Sequence, residues 1–105
     1  MGYGFGGGFG GGNMQALMRQ AQKMQEDMKR IREEIDETEY TSSVGGGMVE
    51  VTMLGNKTVK AVRIKPEVVD PEDVEMLEDL VVSAVNDCVN KITADEQAKL
   101  PNLGM

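Results

Sequence analysis

Few side chains in this sequence could take part in catalysis or hold a metal ion. The 105 residues include no His and one Cys, Cys88. Catalytic triads that depend on His, zinc sites built from Cys and His, and disulfide frameworks are therefore excluded. Because no His is present to activate its thiol, Cys88 is expected in the core. The sequence predicts no enzyme, no metal site and no cofactor.

The basic side chains say more about function than the candidate catalytic residues do, because most of them lie in the first 65 residues. That part holds nine Lys and Arg residues against eight Asp and Glu residues, whereas residues 66–105 hold two against ten. The overall charge of −7 therefore divides into +1 and −8. Exposed charges are screened from one another beyond about 8 Å at physiological salt. A locally basic surface that binds a polyanion is compatible with this composition.

The segment that begins at Asn13 has the apolar spacing of a long helix, with Asn13 as its N-cap. From Met14 onward, apolar residues follow at alternating steps of three and four. This spacing forms a narrow seam that suits another helix, and the same helix of a second copy can cover it. We therefore predict a homodimer, with an intramolecular hairpin against the C-terminal helix as the alternative. The predicted dimer interface consists of Leu17, Ala21, Met24, Met28, Ile31 and Ile35.

A basic stripe runs along another side of this helix. Arg19, Lys23 and Arg30 lie within about 40° of one another at about 100° per residue. Such a stripe suits contact with phosphates. Several basic residues of the helix also have an acidic residue four positions away, which is typical of an ordinary solvated surface. From the helix alone, the solvated surface is the favoured interpretation.

A short antiparallel sheet is predicted after this helix. Residues 38–44 and Val49–Leu54 have the composition and alternation of strands, and residues 45–47 are three glycines that separate them. Gly55 and Asn56 are expected to supply the positive φ of the next tight hairpin.

The third strand is predicted over residues 58–65, with Val62 and Ile64 facing inward. This part of the chain is strongly basic, with four cations and no carboxylate in nine residues, namely Lys57, Lys60, Arg63 and Lys65. Lysines on an edge strand also discourage aggregation, which is the structural alternative to a binding role.

The last predicted element is an acidic helix that covers the sheet. Asp70 is expected to be its N-cap and Pro71 its first residue, since both residue types favour a helix start. Its broad apolar face includes Cys88, and the helix is expected to end near Lys99, before Pro101.

Three runs in residues 13–92 resemble the YbaB/EbfC family of bacterial nucleoid-associated proteins: NMQALMRQAQKMQEDMKRIREEI, GGGMVEVTMLGN and VRIKPEVVDPEDVEMLEDLVVSAVNDCVNKI. The resemblance implies an α+β fold with an α-β-β-β-α subunit and a three-stranded antiparallel sheet. It also implies a tweezer-like homodimer that binds double-stranded DNA with little sequence preference, in the nucleoid. The phosphate contacts that it favours are Arg19, Lys23, Lys29, Arg30 and Arg32, with Lys60, Arg63 and Lys65 as second choices.

The chain is expected to comprise one dimerising domain, residues 13–100, with a disordered Gly-rich and aromatic tail at residues 1–12 and a flexible end at residues 101–105. No apolar run is long enough for a membrane span, and no secretion leader is recognised, so a cytoplasmic location is expected. The acidic second half supports an alternative function, a dimeric scaffold that docks a protein of DNA replication or repair.

Overall fold

A computed structural model of the protein describes residues 13–100. The tail expected at residues 1–12 and the flexible end expected at residues 101–105 lie outside the described residues. The described elements are α1 (Met14–Glu37), β1 (Glu39–Val44), β2 (Val49–Leu54), β3 (Val59–Ile64), a 3₁₀ turn (Pro66–Val68) and α2 (Val74–Lys99). The predicted α-β-β-β-α order and the α+β class are confirmed. Within the described residues, neither helix is long and apolar enough to cross a membrane.

The chain divides into two compact units at the boundary between Ile31 and Arg32. The described part of the first unit is the first 18 residues of α1, from Met14 to Ile31. Its sequence is rich in Gln, Met, Lys and Arg, which are good helix formers. Leu17 and Met18 are 60% and 67% exposed, so this helix does not depend on burial of its apolar side chains within one chain.

The second unit contains the sheet, in which the strands follow the order β1-β2-β3 and are all antiparallel. The central strand β2 alternates between fully and partly buried residues. Its buried residues Val49, Val51 and Met53 face α2 and pack with Ala84 and Cys88 of that helix. The predicted strand pattern and the position of Cys88 in the core are confirmed.

Val62 and Ile64 of β3 lie on the inward face of the sheet, as predicted, but no described residue covers them. Their register partners, Val51 and Val49, are completely buried, so Val62 and Ile64 lie on the correct face of the sheet. They are nevertheless 44% and 39% exposed. The reason is that α2 packs on β1 and β2, which leaves β3 at the edge of the sheet uncovered by the described residues.

The prediction for the β2–β3 hairpin is corrected. The positive φ lies at Lys57, with a value of 71°, rather than at Gly55 or Asn56. Asn56 instead accepts a hydrogen bond from the backbone N–H of Thr58 through its side-chain oxygen, which is the local turn that Asn favours. Gly55 is required for space, because a Cβ atom there would lie 1.8 Å from the carbonyl oxygen of Ile35.

The start of α2 differs from the prediction by three residues. Asp73, not Asp70, is the N-cap, and its carboxylate accepts a 3.3 Å hydrogen bond from the backbone N–H of Met76. Asp70 instead caps a preceding turn, because its carboxylate accepts from the N–H of Glu72 and its carbonyl accepts from the N–H of Asp73. The end of the helix at Lys99 is confirmed.

Candidate nucleic-acid interface

The first group of candidate contacts lies on α1, where helical geometry fixes the direction of each side chain. Arg19 and Lys23 are one turn apart on the same side, and Lys29 lies about 80° from Arg19 around the axis. All three residues are exposed. Within residues 13–100, none of them forms a salt bridge or a side-chain hydrogen bond. These three cations are therefore available to an anionic ligand.

Arg30 belongs to the same stripe but has a partner. Its guanidinium donates to the carboxylate of Asp27 at 2.9 Å, and the side chains are 60% and 40% exposed. An exposed pair on one helix contributes at most about 1 kcal/mol, so a stronger anion could displace it. Contact between Arg30 and a phosphate would therefore compete with internal pairing, including this weak pair.

Arg32 is held more firmly. Its guanidinium donates to Glu96 at 2.7 Å and forms a second pair with Asp36 at 2.7 Å. The hydrogen bond to Glu96 is the largest cause that raises the pKa of Arg32, and desolvation opposes it. Glu96 also accepts from Lys57 at 3.5 Å. Arg32 therefore joins the end of α1 to α2, and among the candidate contacts it has the least freedom to bind DNA.

The second group of candidates lies on and after β3. Lys60 forms an ion pair with Glu39 of β1. Arg63 and Lys65 form no salt bridge with any described residue. Together with Glu50, these two cations line an open cavity of about 290 Å³. The carboxylate of Glu50 weakens the attraction of this cavity for a phosphate, so these cations form a less favourable anion site than the α1 residues.

The residues of the predicted dimer interface have different environments. Leu17, Ala21 and Met24 are exposed, and Met28 and Ile31 are half-buried. Ile35 is 1% exposed within the single chain. Its side chain therefore belongs to the interior of the second unit and is not accessible to a partner. For the other five residues, a place in the dimer interface remains a prediction.

Polar contacts between β1 and α2 fix the helix over the sheet, and no pattern in the sequence predicts them. Tyr40 donates a 2.5 Å hydrogen bond to Asp95, and Ser42, which is completely buried, donates one of 2.5 Å to Asp87. Burial is the largest cause that raises the pKa of Tyr40 to about 12. The hydrogen bond from Tyr40 is the largest cause that lowers the pKa of Asp95. Pairs of this kind join residues far apart in sequence and leave no local pattern.

Cys88 and the acidic residues show no arrangement for chemistry in the described part of the chain. The Cys88 sulfur lies 3.4 and 3.3 Å from the backbone oxygens of Tyr40 and Val51, which share its one S–H donor, and burial raises its pKa. A raised pKa disfavours the reactive thiolate. Within residues 13–100, no group of three or more His, Cys, Asp and Glu side chains could hold a metal ion.

Comparisons with known proteins found a matching family model, similar sequences and a similar structure. The model of the YbaB/EbfC DNA-binding family matches residues 10–104. A nucleoid-associated protein of Ruminiclostridium cellulolyticum is 53% identical over 95 residues, which cover 90% of this chain and 81% of the relative. A nucleoid-associated protein of Acetivibrio thermocellus is 54% identical over 93 residues, which cover 89% of this chain and 76% of the relative.

A solved structure has a similar fold. The crystal structure of an uncharacterized protein from Helicobacter pylori aligns with a TM-score of 0.69 and 25% sequence identity. The alignment covers 83% of this chain and 91% of that chain.

Proposed function

Because the chain belongs to the YbaB/EbfC DNA-binding family, we propose that it binds double-stranded DNA as a homodimer, mainly through phosphate contacts and with little sequence preference. The family is a DNA-binding one rather than a class of enzymes. The relatives named as nucleoid-associated proteins support a role at the nucleoid, in the cytoplasm.

The observation that carries this proposal is a set of three exposed cations on α1 that have no ion-pair partner within residues 13–100, namely Arg19, Lys23 and Lys29. An unpaired cation can release the counterions of a phosphate without first breaking an internal ion pair. The family match favours phosphate contact by these cations over the alternative that they are an ordinary solvated surface of the helix. Contacts to phosphates position a protein on DNA but carry no sequence information, which is the reason for the weak preference that we propose.

The proposed homodimer is supported by apolar side chains that the single chain leaves exposed. Leu17 and Met24 of α1 are 60% and 52% exposed, and Val59 and Val62 of β3 are 45% and 44% exposed. Extended apolar patches are uncommon on monomeric proteins and mark interaction sites. A dimer doubles the number of α1 cations that one DNA molecule can meet.

The proposal is tested by replacing all three α1 cations, as Arg19→Gln, Lys23→Gln and Lys29→Gln together. Fluorescence anisotropy with two duplexes of unrelated sequence measures the affinity. We expect the triple variant to bind both duplexes at least about tenfold more weakly, since each lost phosphate contact reduces counterion release. Sedimentation should show an unchanged dimer.

A matched variant controls for the change in net charge. Lys57→Gln, Lys91→Gln and Lys99→Gln together remove three exposed lysines that form ion pairs in the second unit. This variant should bind DNA within about twofold of the wild type. Equal losses in the two triple variants would show that net charge, and not the α1 surface, determines affinity.

The alternative function, a scaffold for a replication or repair protein, predicts a different outcome. DNA contact would then be incidental, so the wild type would bind DNA weakly and the α1 triple variant would change little. The same assay therefore separates the two functions.

A further inference from the structure

The first half of α1, residues 14–25, is rich in amide side chains and has no acidic residue. All of its residues are exposed, and the first carboxylate of the helix is that of Glu26. The glutamines of this half are Gln15, Gln20, Gln22 and Gln25. Within residues 13–100, their side-chain amides form no hydrogen bond. The donors and acceptors of these amides are therefore available to a ligand.

Gln15 and Gln22 lie on the same side of α1. They are about 20° apart around the axis and about 10 Å apart along it, at about 100° and 1.5 Å per residue. Arg19 lies between them along the axis, about 40° from Gln15. Leu17 and Met24 of the apolar seam lie about 160° and 180° from Gln15. The two glutamines therefore stay accessible even if a partner covers the seam.

An apolar side chain lies beside the two glutamines. Met18 is 67% exposed and lies about 60° from Gln15 around the axis. Together with Gln15, Arg19 and Gln22, it lines an open depression of about 460 Å³ on the helix. This side of α1 therefore offers two amides, each able to form a pair of hydrogen bonds, next to one apolar contact.

These groups match the edge of an A·T base pair in the major groove of DNA. Adenine presents its N7 acceptor and N6 donor there, which one Gln amide can bind together, and thymine presents a methyl group. The major groove is about 12 Å wide and admits an α-helix. Arg19 and Lys23 lie beside the glutamines, about 40° and 80° from Gln15. These cations can therefore contact the phosphates at the edge of the groove while the amides reach the bases.

We infer that the first half of α1 enters the major groove, where Gln15 and Gln22 bind adenines and Met18 contacts a thymine methyl group. The inference rests on the DNA binding proposed above and adds the source of a preference for A·T pairs. The positive end of the α1 dipole then approaches the phosphates, which is favourable. Few bases are contacted, so the preference is small beside the affinity that the phosphate contacts supply.

The first test compares a duplex of A·T pairs in mixed order with a duplex of G·C pairs of the same length, by fluorescence anisotropy. The wild type should bind the A·T duplex at least about fivefold more tightly. The variant Gln15→Ala with Gln22→Ala should bind the two duplexes within about twofold of each other, because it lacks both amides. Ala favours helices, so α1 is retained.

The matched control is Gln20→Ala, which removes an amide about 140° away from Gln15. It should keep the wild-type preference for the A·T duplex. Equal binding of the two duplexes by the wild type would overturn the inference. An unchanged preference in the variant without Gln15 and Gln22 would also overturn it.

The second test separates contact with base edges from recognition of DNA shape, since A·T tracts also have a narrow minor groove. Replacement of each adenine by 7-deazaadenine removes the N7 acceptor from the major groove and leaves the minor-groove edge unchanged. The wild type should bind this duplex at least about threefold more weakly than the unmodified one. The variant without Gln15 and Gln22 should bind both alike. Equal affinity of the wild type for both duplexes would assign the preference to DNA shape and overturn the inference.

The salt dependence of binding distinguishes bases from phosphates as the partners of these amides. The variant Gln15→Ala with Gln22→Ala should keep the wild-type slope of log K against log salt concentration, because neutral amides release no counterions. A slope as shallow as that of the variant without the three α1 cations would contradict the proposed base contacts.

The inference and the proposed function fail separately. A wild-type protein that binds neither duplex contradicts DNA binding itself. A wild-type protein that binds both duplexes equally, with a steep salt dependence, contradicts only the base contacts of Gln15 and Gln22.

Discussion

The guanidinium of Arg32 lies 2.7 Å from the carboxylate of Glu96, a residue 64 positions later in the sequence. This ion pair joins the end of α1 to α2 and removes one of the candidate DNA contacts from the accessible basic surface. The substitution Arg32→Gln should therefore lower the free energy of unfolding by about 1 kcal/mol, since the pair is partly exposed. It should change DNA affinity less than Lys29→Gln, which removes a cation of the same helix that no described residue pairs with. Urea unfolding and anisotropy measure the two effects, and a larger loss of affinity for Arg32→Gln would place this arginine on the DNA.

Gly55 is expected to be the most sensitive glycine among those in the two turns of the sheet. A Cβ atom at Gly55 would lie 1.8 Å from the Ile35 carbonyl oxygen, so backbone atoms must move. We expect Gly55→Ala to cost about 3 kcal/mol or more, in the range of substitutions that overpack an interior. Gly46→Ala is the matched control, because Gly46 has φ 67° but open space around it, and it should cost only about 1 kcal/mol. Equal costs by urea unfolding would show that the close approach at Gly55 is absent in solution.

The hydrogen bond from Tyr40 to Asp95 predicts how stability depends on pH. The folded-state pKa of Asp95 is lowered, so its contribution is present above its unfolded pKa of about 3.9 and is lost as the pH falls through the folded value. The pKa of Tyr40 is raised to about 12, so its contribution is present below its unfolded pKa of about 10 and is lost as the pH rises towards 12.

The variant Tyr40→Phe removes this hydrogen bond and therefore the contribution that it makes between the acidic and the alkaline transition. At pH 7 it should be less stable than the wild type by about 1–2 kcal/mol, which is typical of a hydrogen bond to a charged group. The difference should become smaller below about pH 4 and above about pH 10. Urea unfolding at a series of pH values measures it, and a difference that stays constant from pH 3 to pH 11 would argue against the hydrogen bond.

Cys88 should resist thiol reagents as long as the protein is folded. Its side chain is completely buried, and burial raises its pKa, so little thiolate is present or accessible. We expect reaction with a disulfide reagent at neutral pH to be at least about a hundredfold slower in buffer than in concentrated urea, since it requires opening of the core. Rapid, stoichiometric labelling of the native protein would contradict this position of Cys88.

Local sequence patterns were sufficient to predict the order of elements. The steps of three and four in α1, the alternation of Val49, Val51 and Met53, and the three glycines before them each reflect the geometry of one element. The same patterns indicate which side of β3 Val62 and Ile64 face. They cannot indicate whether another element reaches that side, which depends on the position of α2 over the sheet.

The candidate site was less predictable, because its details depend on contacts between distant residues. The basic residues were identified by type, but the sequence could not distinguish Arg32, which is paired with Glu96, from Lys29, which is unpaired among the described residues. The role of Gly55 depends in the same way on the approach of Ile35. Such proximity arises only when the chain folds.

The most direct test of the central claim is the salt dependence of binding to a DNA duplex, measured by fluorescence anisotropy on the wild-type protein. If each dimer neutralises four to six phosphates, a plot of log K against log salt concentration should have a slope of about −4 to −5. The variant without the three α1 cations should give a clearly shallower slope. An affinity that does not change with salt, or an equal slope for both proteins, would contradict the claim that α1 binds the DNA backbone.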